Sequence, residues 1–263
     1  MNRIFILLFS VLISLAVFAE EKETKVLIKT TMGKFTVKLY NDTPLHRDNF
    51  IQLVQENRYD SIMFHRVIKL FMIQAGEKYA PVDSTRIAKL EEAERNKKPP
   101  KKFVKFLRKF WFKSANKKYK LTFPFDPNYQ APDHTIPPEI IFPKYFHKRG
   151  QLCAARIGDQ LNPERLSSGF EFYIVTGKHF TENELNKMER EKNKTFTPEQ
   201  REALMFDGGA PHLDGAYTIF GEVTKGIRVV EKIERTMVDH NDRPLKDVRI
   251  KKTKLLKSKK SKK

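Results

Sequence analysis

The sequence is poor in cysteine. Cys153 is the single cysteine among 263 residues, so no disulfide bond can form within the chain. It stands in the segment QLCAARI, whose composition is typical of a buried strand, and we expect an unreactive core thiol there. The seven histidines lack the spacing of metal ligands, so the sequence predicts no metal site.

Long apolar runs are absent after the first twenty residues. At the start, Arg3 precedes an apolar run over residues 4–17 that ends in small residues. This pattern predicts a secretory signal peptide, residues 1–19, cleaved after Ala19. The alternative is an uncleaved anchor helix, although the run is short for a membrane span. Export without disulfide bonds fits a bacterial periplasm, where we expect the mature protein.

Acidic residues are missing from two basic stretches. Residues 97–120 hold eleven Lys or Arg side chains, and residues 251–263 hold eight lysines. These nineteen cations equal the formal net charge of +19, so the rest of the chain is balanced at 32 basic and 32 acidic residues. Because the basicity is confined to two stretches, the charge pattern argues against a nucleic-acid-binding fold.

Short strand patterns dominate the remaining sequence. Residues 25–42 alternate as two strands around Gly33, and a helix pattern follows with Thr43 as its expected cap and Pro44 as its first residue. Further strand patterns, one short helix at 227–235 and a closing strand near 245–253 complete the series. Strands at this spacing with two short helices predict a closed antiparallel β-barrel with helical caps.

Two polar segments interrupt the strand patterns. Residues 78–135 are highly charged and proline-rich, and residues 178–210 are polar with a helix start at TPEQ. We interpret both as insertions that are partly helical. The lysine-rich residues 256–263 are expected to be a disordered tail.

The segment FHRVIKLFMIQAGE, residues 64–77, contains an arginine within a nearly apolar run. Arg66 keeps its charge in such surroundings and therefore needs hydrogen-bond acceptors. On this segment alone, it is either half of a structural ion pair or a group directed at a ligand.

Six segments in chain order resemble the cyclophilin-type peptidyl-prolyl cis-trans isomerases: TTMGKFTVKLY, NFIQLV, YDSIMFHRVIKLFMIQAGE, GQLCAAR, SSGFEFYIVTG and HLDGAYTIFGEVTKG. The resemblance covers residues 24–77, 136–177 and 211–255, and FHRV…FMIQAGE is its most specific part. It implies a mainly β domain over residues 24–255, an eight-stranded closed antiparallel β-barrel capped by two α-helices. The implied activity is rotation of X–Pro peptide bonds in exported proteins.

The resemblance also implies the site residues. Arg66 matches the catalytic arginine of the family, and we expect Gln74 to hold its guanidinium in place. Substrate binding is implied for Phe71, Met72, Ala155, Arg156, Glu171, Tyr173, Leu213 and Tyr217. Glu171 departs from the glutamine usual in the family, and our hypothesis is that it contacts Arg66 or Arg156. His212 replaces the tryptophan of cyclosporin-sensitive members, which predicts weak cyclosporin binding.

Rotation of an X–Pro bond requires few chemical groups from a protein. Resonance gives the X–Pro imide a rotational barrier of about 20 kcal/mol, and no bond is broken when it rotates. No nucleophile, metal or cofactor is therefore required. An apolar cup for the proline ring and a fixed donor near the imide nitrogen would bind the twisted state better than the planar one.

Other functions stay open at the level of sequence. A low-turnover proline-segment binder or holdase chaperone is one alternative, and an inactive structural surface protein is another. Residues 101–113, KKFVKFLRKFWFK, combine aromatic and basic side chains at helical spacing. They could pack on the barrel, lie on an anionic membrane surface, hold unfolded clients or bind nucleic acid. The expected partners are unfolded or proline-containing polypeptides, and we expect a monomer.

Overall fold

The computed structural model describes residues 23–76, 134–192 and 195–256. The predicted signal peptide, residues 101–113 and nearly all of the 78–135 insertion lie outside these residues. The strands are β1 Lys25–Thr30, β2 Gly33–Leu39, β3 Phe64–Ile68, β4 Met72–Ala75, β5 Thr135–Ile136, β6 Gln151–Ala154, β7 Ser167–Ser168, β8 Phe172–Val175, β9 Ile219–Lys225 and β10 Ile250–Leu256. The helices are α1 Pro44–Gln55, α2 Glu182–Lys192, α3 Pro198–Phe206 and α4 Ile227–Glu234, with a 3₁₀ turn at Pro211–Leu213.

Eight of the strands form one antiparallel sheet in the order β10-β1-β2-β9-β6-β8-β4-β3. The sheet is a curled half-barrel, so the predicted closed barrel is wrong in this respect. The edge strands β3 and β10 do not pair as strands, because the chain before β10 lies along β3. Val67 donates its backbone N–H to the carbonyl of Asp242 (2.8 Å), and Phe64 donates to Val248 (2.9 Å).

The core lies on the concave side of the sheet and follows the predicted alternation on β2. Phe35, Val37 and Leu39 are all buried, as the sequence indicated. Helices α1 and α4 cover this side, with Phe50 and Val230 among their buried residues. The burial of alternate strand residues against two amphipathic helices accounts for the two caps predicted from the sequence.

Helix α1 begins at Pro44 as predicted, but the capping prediction for Thr43 is wrong. The Thr43 hydroxyl makes no cap and instead points to the carbonyl of Tyr40 (3.5 Å). The carboxylate of Glu139 accepts from the backbone N–H groups of Leu45 (3.0 Å) and His46 (2.9 Å). A distant residue therefore satisfies the free N–H groups at this helix terminus.

The 178–210 segment is partly helical, as predicted. Helix α3 begins at the TPEQ motif, where the Thr197 side chain accepts from the Gln200 backbone and the Gln200 side chain accepts from Thr197. This capping box defines the helix start from four local residues. Leu185 of α2 and Leu204 of α3 are fully buried in a small apolar cluster with Phe196.

The C-terminal part of the domain also follows the sequence. Helix α4 covers most of the predicted 227–235 range, and β10 pairs with β1 along its length. The strand extends to Leu256, which pairs with Lys25, so the predicted tail begins one residue too early. Among the residues that the structure describes, no helix is long and apolar enough to cross a membrane.

Candidate active site

Four side chains form a row across neighbouring strands. Arg66 on β3 lies opposite Gln74 on β4, Gln74 lies opposite Tyr173 on β8, and Tyr173 lies opposite Cys153 on β6. Directly opposed residues of antiparallel strands project from the same face of the sheet. With strands about 4.8 Å apart, the arginine and the tyrosine lie about 10 Å from each other along this row. The structure thus brings the two predicted catalytic residues next to a predicted pocket residue.

Arg66 has both an ion-pair partner and exposed surface. Its Nε lies 3.4 Å from Oδ2 of Asp242, and 46% of its side chain is exposed. Asp242 is held beside β3 through its own carbonyl, which accepts from Val67. The ion pair is thus present, and the exposed part of the guanidinium leaves room for a ligand, so the ligand-directed role of Arg66 stays a prediction.

Gln74 is held by the residue that departs from the family pattern. Its Nε2 donates to Oε2 of Glu171 at 2.9 Å. A carboxylate can only accept, so this contact leaves the Gln74 carbonyl oxygen as the side that can accept from Arg66. The hypothesis that Glu171 itself contacts Arg66 or Arg156 stays a prediction.

An apolar cluster lies beside this row, and we call it the pocket cluster. It contains six of the eight predicted substrate-binding residues: Phe71, Met72, Ala155, Tyr173, Leu213 and Tyr217. Met72, Ala155 and Tyr173 are buried, whereas Phe71, Leu213 and Tyr217 are half-buried. Because three members keep exposed surface, a small apolar group can reach the cluster from solvent.

Tyr173 carries a hydroxyl into the buried part of the pocket cluster. The hydroxyl bonds to Nε2 of His147 (3.1 Å), and the ring meets that of Tyr217 edge-on with centroids 6.1 Å apart. Burial raises the pKa of Tyr173 and that of the neighbouring Cys153 thiol well above their usual ranges. Cys153 is fully buried, which confirms the expected core position of this thiol.

Arg156 lies against Tyr217 of the pocket cluster. Its side chain is only 3% exposed, and its Nη1 lies 2.6 Å from Asp159. Its Nε donates to the carbonyl of Ala216, and its guanidinium lies 4.3 Å from the centre of the Tyr217 ring. These contacts hold Tyr217 in place, and the expected contact of Arg156 with substrate stays a prediction.

Two histidines near the site are less basic than usual. Burial, with Arg66 and Arg243 nearby, lowers the pKa of His65 to about 4. Burial also lowers the pKa of His212, whose ring centre lies 5.1 Å from that of Phe71 at the rim of the pocket cluster. His212 therefore occupies the rim as a neutral ring near pH 7. Within the described part of the chain, no group of three His, Cys, Asp or Glu side chains could hold a metal ion.

The sequence reasoning missed three polar residues of the site: His147, Asp214 and Asp242. Asp214 Oδ1 accepts from both the backbone N–H and Nδ1 of His147, each at 2.7 Å. One signal could have indicated His147, because a tyrosine in place of the pocket phenylalanine needs a buried partner for its hydroxyl. No comparable local signal exists for Asp242, which lies 176 residues from Arg66.

The fold is that of the cyclophilins. A cyclophilin-type peptidyl-prolyl cis-trans isomerase of Cryptosporidium parvum superposes with a TM-score of 0.54 at 19% identity, over 90% of this chain and 99% of that one. A second structure of that protein, in the presence of the dipeptide Ala-Pro, gives a TM-score of 0.53 at 18% identity. At this identity the likeness concerns the fold.

The family follows from the sequence comparison. The family model described as "Cyclophilin type peptidyl-prolyl cis-trans isomerase/CLD" matches residues 25–255. The chain therefore belongs to the cyclophilin-type peptidyl-prolyl cis-trans isomerases, and it is an enzyme of that class.

Curated relatives carry the same family name. Peptidyl-prolyl cis-trans isomerase CYP18-2 of Arabidopsis thaliana is 25% identical over 238 residues, which cover 90% of this chain and 96% of that protein. Peptidyl-prolyl cis-trans isomerase-like 2 of Rhizopus delemar is 27% identical over 232 residues, which cover 88% of this chain. The match spans 28% of the fungal protein's own length.

Proposed function

We propose that the protein isomerises X–Pro bonds in unfolded or partly folded exported polypeptides, with Arg66 as the catalytic residue. One observation carries this proposal. A half-exposed arginine lies in register with Gln74 and with the pocket residue Tyr173, on the same face of the sheet.

The arrangement suits rotation about an imide bond. The proline ring would bind against the half-buried members of the pocket cluster, which would place the imide nitrogen toward Arg66. As the bond twists, the nitrogen lone pair is no longer delocalised and becomes a hydrogen-bond acceptor. A guanidinium held in place favours that twisted state over the planar one, which lowers the barrier without any covalent step.

Two carboxylates support the arginine in this proposal. Asp242 pairs with its Nε, while Glu171 orients Gln74 on the neighbouring strand. A donor that is already oriented loses less rotational freedom in the transition state, so its effect on the rate is larger. The protein supplies this orientation from two separate loops.

Proline-containing polypeptides are the proposed substrates. The structure of the Cryptosporidium relative in the presence of Ala-Pro supports this class of ligand. Export to a periplasm is the proposed setting, on the strength of the signal-peptide pattern in residues 1–19, and we propose a monomer. N-terminal sequencing of the protein from a fractionated cell tests the export, and a start at Glu20 is the expected result. Residues 101–113 would add contacts to clients or to an anionic membrane surface.

A protease-coupled isomerisation assay on an Ala–Pro peptide tests the activity. Residues 20–263 should accelerate the reaction, and Arg66→Ala should lower kcat/KM about a hundredfold, because one preoriented donor is lost. The matched control is Arg228→Ala, an exposed arginine on α4, which should leave kcat/KM unchanged. A wild-type rate equal to that of buffer would refute isomerase activity for this chain.

Glu171 decides between the enzyme and a low-turnover proline binder. Glu171→Gln should change kcat/KM less than about threefold, since an amide oxygen can also accept from Gln74. A slow wild type whose rate rises in Glu171→Gln would instead support the binding module.

A further inference from the structure

A buried polar chain runs beneath the pocket cluster, and it involves residues outside the predicted site. It consists of Asp214, His147 and Tyr173, with side-chain distances of 2.7 Å and 3.1 Å. The His147 side chain is fully buried and that of Asp214 is 3% exposed. Buried polar groups in such a chain are stable only when each has its partner, so their geometry is strongly constrained.

The two ring nitrogens of His147 face different partners. A carboxylate oxygen can only accept, so Asp214 Oδ1 accepts from both the backbone N–H and the Nδ1–H of His147. Nε2 shares the second hydrogen bond with the Tyr173 hydroxyl. The imidazole thus links Asp214 to the Tyr173 hydroxyl and restrains the orientation of that tyrosine.

His147 also holds the turn that carries Leu213. Its backbone carbonyl accepts from Ala210, directly before the Pro211–Leu213 turn, and its ring and backbone N–H bind Asp214, directly after the turn. A Cβ atom at Gly209 would lie 2.5 Å from the His147 carbonyl oxygen, so the close approach requires glycine there. One residue therefore holds both ends of the turn.

The rings of the pocket cluster complete the arrangement. Tyr217 meets His147 edge-on with centroids 6.3 Å apart, and it meets Tyr173 in the same manner. Three pocket residues from two segments, Tyr173 on one and Leu213 and Tyr217 on the other, are thus arranged around one imidazole.

We propose that His147 is the positioning residue of the proline pocket, acting through Tyr173 and the Pro211–Leu213 turn. The inference rests on the proposed function, since it assigns the pocket cluster to the proline ring. His147 has no role in bond rotation itself. It sets how well the pocket binds proline, whereas Arg66 sets how fast the bound imide rotates.

The expected signature separates KM from kcat. The pocket grips the proline ring in the planar and the twisted state alike, so a looser pocket weakens both equally and raises KM. A variant that is merely part-unfolded would lower the apparent kcat in proportion to its folded fraction and leave KM unchanged. A looser pocket is therefore seen in KM, whereas partial unfolding is seen in the apparent kcat.

His147→Asn is the sharpest substitution. The Asn side-chain nitrogen can replace Nδ1 and keep the bond to Asp214, but Asn has no atom at the position of Nε2, so the Tyr173 hydroxyl loses its imidazole partner and keeps the neighbouring Cys153 thiol. The dissociation constant for an Ala–Pro peptide, measured by NMR titration, and KM should each rise about tenfold, with kcat within about twofold of wild type. His147→Gln, whose amide reaches the Nε2 position, should recover part of the affinity.

The control is a second buried histidine–carboxylate pair outside the pocket. His46 is buried and its Nδ1 lies 2.7 Å from Glu139, so His46→Asn makes the same chemical change at another place. It should lower the melting temperature and leave KM unchanged. In a Tyr173→Phe background, His147→Asn should cause no further rise in KM, because the hydroxyl that it served is gone.

The outcomes are separable from those of the proposed function. The wild-type rate tests isomerase activity, and the ratio of peptide affinities between His147→Asn and wild type tests the positioning role. An unchanged KM and dissociation constant in folded His147→Asn, or a rise that persists undiminished in the Tyr173→Phe background, would overturn the inference.

Discussion

At the scale of single residues, carboxylates hold the polar residues of the candidate site in place. Glu171 orients Gln74, Asp242 pairs with Arg66, and Asp214 orients His147. The first and second pairs are partly exposed, while the third is buried. Exposed ion pairs contribute little to folding stability, so the value of Asp242 lies in orienting its partner.

Asp242→Asn tests this orienting role. The change removes the charge and keeps the shape, so we expect kcat to fall about threefold to tenfold with a small change in melting temperature. In an Arg66→Ala background the same change should have no further effect on kcat. The matched control is Glu191→Gln, which removes one charge from an exposed pair on α2. A loss of rate that persists without Arg66 would contradict the prediction.

At the scale of elements, loops provide partners for the backbone hydrogen-bonding groups that strands and helices leave unpaired. The 237–245 loop lies along the edge of β3, where its Asp242 carbonyl accepts from Val67. The loop is braced by Asp239, whose Oδ1 accepts from the backbone N–H groups of Asn241 and Arg243. This loop therefore covers a strand edge and delivers the partner of Arg66 at the same time.

The N-terminus of α1, where Glu139 accepts from the backbone, gives a test of such a distant contact. Glu139→Ala removes the acceptor for two backbone N–H groups and for His46, and we expect the free energy of unfolding to fall by about 2 kcal/mol. Chemical denaturation measures the loss. Glu164→Ala, at an exposed loop position, is the control and should change stability by less than about 0.5 kcal/mol. Equal effects of the two substitutions would show that Glu139 is no cap.

At the scale of the whole molecule, buried neutral histidines link stability to pH. The folded-state pKa of His65 is lowered to about 4, against an ordinary value of 6.5, and that of His46 is lowered as well. A lowered pKa means that the unfolded chain binds the proton more readily. The stability that neutral His65 contributes is therefore present above pH 6.5 and is lost as the pH falls toward 4.

His65→Gln tests this linkage. Denaturation midpoints at several pH values between 7 and 4.5 should fall less steeply for the variant than for wild type. Carboxylates with lowered pKa values, such as Glu184 at about 2, lose their stabilisation mainly below about pH 5 and do so equally in both proteins, so the difference between the two curves reports on His65. The control replaces the exposed His240 by Gln. Parallel curves for wild type and His65→Gln would contradict the prediction.

Local sequence determined the elements that depend on neighbouring residues. The alternation of β2, the start of α1 at Pro44 and the capping box of α3 all appear where the sequence predicts them. The resemblance of FHRV…FMIQAGE to the cyclophilin family implied one pocket around Arg66, Met72 and Gln74, and the short hairpin of β3 and β4 brings these residues onto adjacent strands. These features depend on contacts a few residues apart.

Tertiary structure alone decided the distant polar contacts. Asp242 reaches Arg66 across 176 positions, His147 reaches Asp214 across 67, and Glu139 replaces Thr43 at the start of α1 across more than 90. The same loop that carries Asp242 lies along β3 and leaves the sheet a half-barrel. Which carboxylate meets which partner depends on the strand register and on the path of the loops. Both are set by the packing of the whole chain, since no single segment encodes its distant partner.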